Sequence, residues 1–297
     1  MRSIFQGMTP PVRAEDVAKL AVGPKKLKSK RFSSWEAILS EIITGDAFGA
    51  DRMDYLLRDS HHAGVAYGRF DHYRLIDTLR ILRTTSHSEE DYPEPALGVE
   101  EGGLQSTEAL LLARYFMYSQ LYFHHVRRIY DIHLKDFLRE WLPGGQFSTA
   151  TEDLLRITDN EVTSAMLKAA DDPAAPGHDA ARRIVRRDHF RVLYQWHPVD
   201  AKANPEAGKA VFEAARKRFG GKSVRHDPYS SKGAAPDFPV QMRDGSVVSS
   251  VTASSTLAKL PLFFMDYVFI EKEKLPEAQE WLRTSKDATI RLTEETE

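Results

Sequence analysis

Apolar residues recur with helical spacing from residue 33 onward. Trp35, Ile38, Leu39, Ile42 and Ile43 stand at i, i+3, i+4, i+7 and i+8, which marks one face of an α-helix. Ser33 or Ser34 supplies an N-cap. Gly45 and Gly49 interrupt the pattern. It resumes as a second helix from Asp51 to His62 and as a third from Phe70 to Arg83, through Tyr73, Leu75, Ile76, Leu79, Ile81 and Leu82. A shorter helix, Arg13 to Leu20, precedes them. Thr84 to Gly103 is polar, contains proline and reads as a loop. Ser106 to about Trp141 holds neither Gly nor Pro and predicts one long helix, roughly 50 Å if unbroken. Leu142-Pro143-Gly144-Gly145 stops it.

The second half reads differently. Short helices are expected at Glu152–Ile157, Glu161–Ala170, Asp179–Arg187, Pro205–Phe219 and Pro276–Arg283. Strands are expected at Phe190–Trp196, around Val240, at Val247–Val251 and at Leu262–Ile270, where aromatic and β-branched residues concentrate. Residues 222–256 are otherwise rich in turn formers. The expected fold is mainly α: a helical core over residues 1–145, then a smaller α+β domain over residues 146–297.

Composition narrows the function classes. The 297 residues are 42 % hydrophobic and 28 % charged, enough apolar surface for a sizeable core. With 41 basic and 43 acidic side chains the net charge is −2, so the basic excess of a nucleic-acid-binding surface is missing. The absence of cysteine excludes disulfides and thiol chemistry and is consistent with a cytoplasmic location. No apolar leader stands at the N-terminus, and the greasiest stretch, Leu257 to Ile270, is too short to span a bilayer. The basic run Lys25-Lys26-Leu27-Lys28-Ser29-Lys30-Arg31 reads as a solvated loop.

The segment richest in chemistry is Asp51 to His62. Projected at about 100° per residue, Asp51, Arg52, Tyr55, Asp59 and His62 share an arc of roughly 100°, opposite Met53 and Leu57. Spacing alone fits a surface helix with ion pairs. The residue mix adds more: acids, a cation, a phenol and an imidazole on one face could serve a metal, a phosphate and a sugar.

The run Ile42-Ile43-Thr44-Gly45-Asp46, Ala50-Asp51-Arg52-Met53-Asp54-Tyr55-Leu56-Leu57-Arg58-Asp59-Ser60, Gly64-Val65, then Gly68-Arg69-Phe70-Asp71 and Arg74-Leu75-Ile76 resembles the HD-domain phosphohydrolases. Among them it is most similar to the dGTPase-like and SAM-and-HD-domain deoxynucleoside triphosphate triphosphohydrolases. The resemblance continues through Arg114, Tyr122 and His124, through Leu155 and Thr158-Asp159-Asn160, and thinly to Arg186-Arg187, Phe190 and Leu193-Tyr194. It implies an HD-type helical core and hydrolysis of a nucleotide. Asp51 would be the last protein ligand of a divalent metal centre. Arg52 would be a catalytic cation on the triphosphate. Tyr55 and Asp59 would line the sugar, Asp59 accepting from the 3′-hydroxyl. Arg114 would face phosphate and Tyr122 sugar or base, their eight-residue spacing placing both on one face of the long helix. Homo-oligomers are common among such enzymes.

The resemblance also implies a His and a His-Asp pair upstream of that Asp. Residues 1–50 contain no histidine, and one carboxylate is not a metal site. His178-Asp179 and His226-Asp227 lie downstream and read as helix-capping or loop residues. In His61-His62 and His124-His125, helical neighbours diverge by about 100° and do not converge on one ion. The chain is therefore expected to be the C-terminal part of such an enzyme, with Met1 inside the parent domain, and to be inactive alone. The alternative is a non-catalytic nucleotide-binding or assembly module.

Overall fold

The computed structural model describes residues 7–83, 95–230 and 236–291. The chain forms helices α1 (Ala14–Val22), α2 (Ser34–Thr44), α3 (Ala50–His62) and α4 (His72–Thr78), strands β1 (Leu79–Arg83) and β2 (Pro95–Glu100), and helix α5 (Leu104–Met117). After a π-helical segment, Tyr118–Tyr122, come α6 (His125–Trp141), α7 (Thr151–Arg156), α8 (Asp159–Asp171), α9 (His178–Val185), β3 (Arg191–Gln195), α10 (Pro198–Ala203), α11 (Ala207–Phe219) and β4 (Val224–Ser230). The last elements are β5 (Pro239–Gln241), β6 (Val247–Ser249), α12 (Ser250–Ala253), α13 (Ser255–Ala258), β7 (Phe264–Ile270) and α14 (Leu275–Ile290). The fold is mainly α with an α+β C-terminal part.

The chain divides into two compact units. The first comprises Met1–Ser119 and Lys232–Phe263, the second Gln120–Ser231 and Phe264–Glu297. The expected break between 145 and 146 falls inside the second unit. Residues after 231 return to the first because β5 pairs in parallel with β2, Val99 opposite Val240.

In the first unit, α2 opens with a capping box. The Ser33 hydroxyl accepts from the Glu36 N–H, and the Glu36 carboxylate accepts from the Ser33 N–H at 2.8 Å, so both exposed donors are matched. Asp71 caps α4 by accepting from Arg74 N at 2.9 Å. A sheet in the order β1-β2-β5-β6 completes the unit. Ile38, Phe48, Leu56, Leu75, Val99 and Val240 are almost fully buried, and Phe48 meets Phe238 edge to face at 4.7 Å.

In the second unit, an antiparallel sheet in the order β3-β7-β4 buries Leu193, Val224, Val268 and Ile270 with Val211 of α11 and Leu282 of α14. Phe137 of α6 packs separately with Ala169, Ala170, Ala180 and Ala181.

Three expectations change. The third helix ends at Thr78, and Leu79–Arg83 is a strand whose backbone pairs with β2 from Leu79↔Val99 to Arg83↔Pro95. The expected loop Thr84–Gly103 accordingly contains β2; its residues 84–94 lie outside the described residues, as do 1–6, 231–235 and 292–297. The long helix is broken. The π-helical turn Tyr118–Tyr122 widens it, and His124 then leaves the helix to cap α6, its Nδ1 accepting from Val126 N at 3.3 Å. Finally, the predicted apolar face of α2 is only partly covered: Ile38 is buried, while Trp35, Ile42 and Ile43 are exposed. Among the described residues no helix is long and apolar enough to cross a membrane.

Candidate functional site

Helix α3 begins after the turn Gly45–Gly49. A Cβ on Gly49 would stand 2.6 Å from Asp51 Oδ1 and 2.7 Å from the Gly45 carbonyl oxygen, so the turn closes this tightly only without a side chain there. Arg52, one turn in, folds back over it. Its Nη1 donates to the Thr44 carbonyl at 3.0 Å and to the Gly45 carbonyl, and its Nη2 to Asp46 Oδ1 at 3.1 Å. Arg114 of α5 reaches the same turn, donating to the Asp46 carbonyl at 2.8 Å. Lys25 donates to Asp46 Oδ2. Burial pushes the Asp46 carboxyl up, but Lys25, Arg52 and Arg114 together hold it below the usual carboxylate range.

Tyr55 lies one helical turn further. Its side chain is hydrogen-bonded to that of Tyr118, over whose ring the Arg114 guanidinium sits at 5.6 Å. Burial and the Tyr118 hydrogen bond push the Tyr55 phenol up, so it stays protonated at neutral pH. Asp59 is half-buried, with Arg58 Nε 3.7 Å from its Oδ1.

The fully buried side of α3 is Leu56 and Ser60. Arg52, Tyr55 and Asp59 flank it at intermediate burial, while Asp51 and His62 are exposed. The helix is therefore not a simple surface helix with one polar face in water. Asp51 Oδ1 accepts from the Arg52 N–H at 2.8 Å. Among the described residues no group of three or more His, Asp and Glu could hold a metal ion, at Asp51 or elsewhere.

The structure brings together Arg52, Tyr55 and Arg114. The regular helical spacing expected between Arg114 and Tyr122 is interrupted by the π-helical segment Tyr118–Tyr122. Tyr122 ends that segment and belongs to the second unit, where its carbonyl accepts from Arg127 at 2.6 Å. Tyr118, four residues from Arg114, lies beneath the Arg114 guanidinium and is hydrogen-bonded to Tyr55. Lys25, Asp46 and Tyr118 were not anticipated as site residues; for Tyr118 the i+4 spacing from Arg114 was the available signal.

The later His-Asp pairs have structural partners. His178 starts α9, its Nδ1 2.8 Å from the Ala169 carbonyl. His226 and Asp227 lie in β4, not in a loop, and point to opposite faces. His226 meets Asp266 at 2.8 Å, and Asp227 takes a two-pronged contact from Arg128 at 2.7 and 2.6 Å. A cavity of about 710 Å³, lined by Trp141, Asn160, Ser164, Lys168 and Asp172 among others, lies in the second unit and contains none of the predicted site residues.

Residues 70–214 match the family model described as an HD associated region. The chain is 31 % identical to a hypothetical protein from Aquifex aeolicus of known crystal structure, with a TM-score of 0.74, covering 94 % of this chain and 68 % of that one. A phosphohydrolase from Bacteroides thetaiotaomicron shares the fold at 18 % identity, with a TM-score of 0.56 over 79 % of this chain and 64 % of that one. An uncharacterized protein of Methanocaldococcus jannaschii is 46 % identical over 95 residues, 32 % of this chain and 19 % of that protein. The uncharacterized protein YwfO of Bacillus subtilis is 39 % identical over 124 residues, 42 % of this chain and 24 % of that protein. The matched segments thus span about a fifth to a quarter of these curated relatives. The fold is of the HD type.

Proposed function

We propose, on the premise that this chain belongs to the family of the Aquifex aeolicus protein and carries the HD associated region, that it is part of an HD-type phosphohydrolase acting on nucleotides, with a deoxynucleoside triphosphate as substrate. The observation that carries this reading is the convergence of Arg52 and Arg114 on the Asp46 turn beside the Tyr55–Tyr118 pair. Two guanidiniums offer planar, multi-pronged donors suited to phosphate oxygens. The neutral phenol of Tyr55 can donate to, or pack against, a sugar. Asp59 would accept from the 3′-hydroxyl, as the family resemblance implies. Arg52 and Arg114 would offset the negative charge that grows on the triphosphate as the ester bond breaks.

No step is assigned to a metal in this chain, because Asp51 has no convergent ligands among the described residues. The same observation favours a second reading, a nucleotide-binding or assembly module without turnover. Hydrolysis and metal content separate the readings. With a dNTP and Mg²⁺ or Mn²⁺, the 297-residue chain is expected to release triphosphate weakly or not at all and to purify without stoichiometric metal. Robust metal-dependent hydrolysis that Asp51→Ala abolishes would contradict this account of the site.

A further inference from the structure

The connection between α1 and α2 brings a third cation to the Arg52 turn. Residues 24–32 read Pro-Lys-Lys-Leu-Lys-Ser-Lys-Arg-Phe, five cations with no acid, and those five side chains are exposed. The segment is not a free coil. Leu27 N donates to the Gly23 carbonyl at 3.1 Å and Lys30 N to the Leu27 carbonyl at 3.0 Å. This turn directs Lys25 to Asp46, whose other carboxylate oxygen takes Arg52 and whose carbonyl takes Arg114. One residue therefore satisfies three cations from three parts of the first unit.

We infer that Asp46 is a built-in stand-in for phosphate, and that Lys25 is a third phosphate-binding residue that exchanges Asp46 for the oligophosphate of a ligand. The inference deepens the nucleotide reading above and rests on Arg52 and Arg114 being phosphate ligands. Charge supports it. Lys25, Arg52 and Arg114 face the carboxylates of Asp46, Asp51 and Glu41, and the four further cations of residues 26–31 add positive charge that an incoming anion meets. Geometry supports it too. The Lys25 side chain is 80 % exposed and that of Asp46 47 % exposed, so an ion pair held in solvent contributes little and yields readily to a more highly charged partner. Lys is a compact point charge on a flexible stem, suited to following a phosphate. The four remaining cations extend the positive surface along the same turn and attract anions over roughly a Debye length.

The test is calorimetric titration of the intact chain with inorganic tripolyphosphate, which needs the cations but no sugar or base pocket. Wild type is expected to bind saturably. Lys25→Met is expected to weaken binding about fivefold and to flatten its salt dependence, as loss of a rim charge does. Lys25→Arg is expected to restore both. Asp46→Asn is expected to tighten binding about threefold by removing the competing anion. Circular dichroism of each variant confirms folding. Failure of wild type to bind, or binding by Lys25→Met equal to wild type in affinity and salt slope, overturns the inference. A parallel titration with a dNTP separates the two readings: if the dNTP binds no tighter than tripolyphosphate, the nucleotide reading fails while the phosphate site stands.

Discussion

His133 of α6 has 1 % of its surface exposed, and its Nε2 accepts from the Phe190 N–H at 3.4 Å. Burial, followed by the charges of Arg183 and Arg225 and by His189, pushes its imidazole down to about 3. The native state holds it neutral, whereas the unfolded chain protonates it near 6.5. Its contribution to stability is therefore complete above pH 6.5 and is lost as pH falls towards 3, by up to about 1.4 kcal/mol per pH unit. His133→Gln retains an acceptor for Phe190 and removes the titration. Urea denaturation is expected to show the stability advantage of wild type over this variant shrinking by about 2 kcal/mol between pH 7 and pH 4.5. An advantage independent of pH would mean that the imidazole titrates alike in both states. Residues at this scale were legible unevenly. Arg52 and Tyr55 were readable because a long motif and one face of α3 carry them, and Arg114 of α5 because the family resemblance extends to it. Lys25 and Asp46 were not, because what joins them is the 23–31 turn meeting the Gly45–Gly49 turn, and periodicity says nothing about loops. His226-Asp227 was read as capping or loop residues because turn formers surround it, whereas it lies within β4.

At the scale of elements, α11 shows how one close approach fixes a helix on a sheet. A Cβ on Gly208 would stand 2.1 Å from Asp266 Oδ2 on β7, while Asp266 Oδ1 is held by His226. Replacing a helical glycine with alanine ordinarily stabilises by about 1 kcal/mol. Here the methyl group must displace a buried carboxylate from its partner, so Gly208→Ala is expected to cost about 1–3 kcal/mol net. Thermal unfolding reads this directly; a raised Tm would show that Asp266 moves aside freely. The helices α2, α3 and α11 were visible in the sequence because helical spacing runs through each of them, and α2 is also capped. The strands β1 and β2 were not. Leu79-Arg80-Ile81-Leu82-Arg83 is too short to tell helix from strand, and β2 also pairs with β5, some 140 residues further along the chain. The break after Met117 had no Gly or Pro to announce it, since a π-turn and a histidine cap make it.

At the scale of the whole chain, two successive domains were expected, over residues 1–145 and 146–297, and two units are present, but not as successive stretches. A segment near residue 240 completes the sheet begun by residues 79–100, and such long-range pairing leaves no local trace in a sequence. The predicted site residues fall in the first unit, Tyr122 excepted. The cations of that unit therefore carry the proposed nucleotide binding. Its most direct test is isothermal titration of the chain with a deoxynucleoside triphosphate, comparing wild type with Arg52→Ala and Arg114→Ala. Saturable one-to-one binding, weakened at least about tenfold by either substitution as expected for a lost hydrogen bond to a charged group, is the predicted result. No binding by wild type, or equal binding by all three proteins, would contradict it.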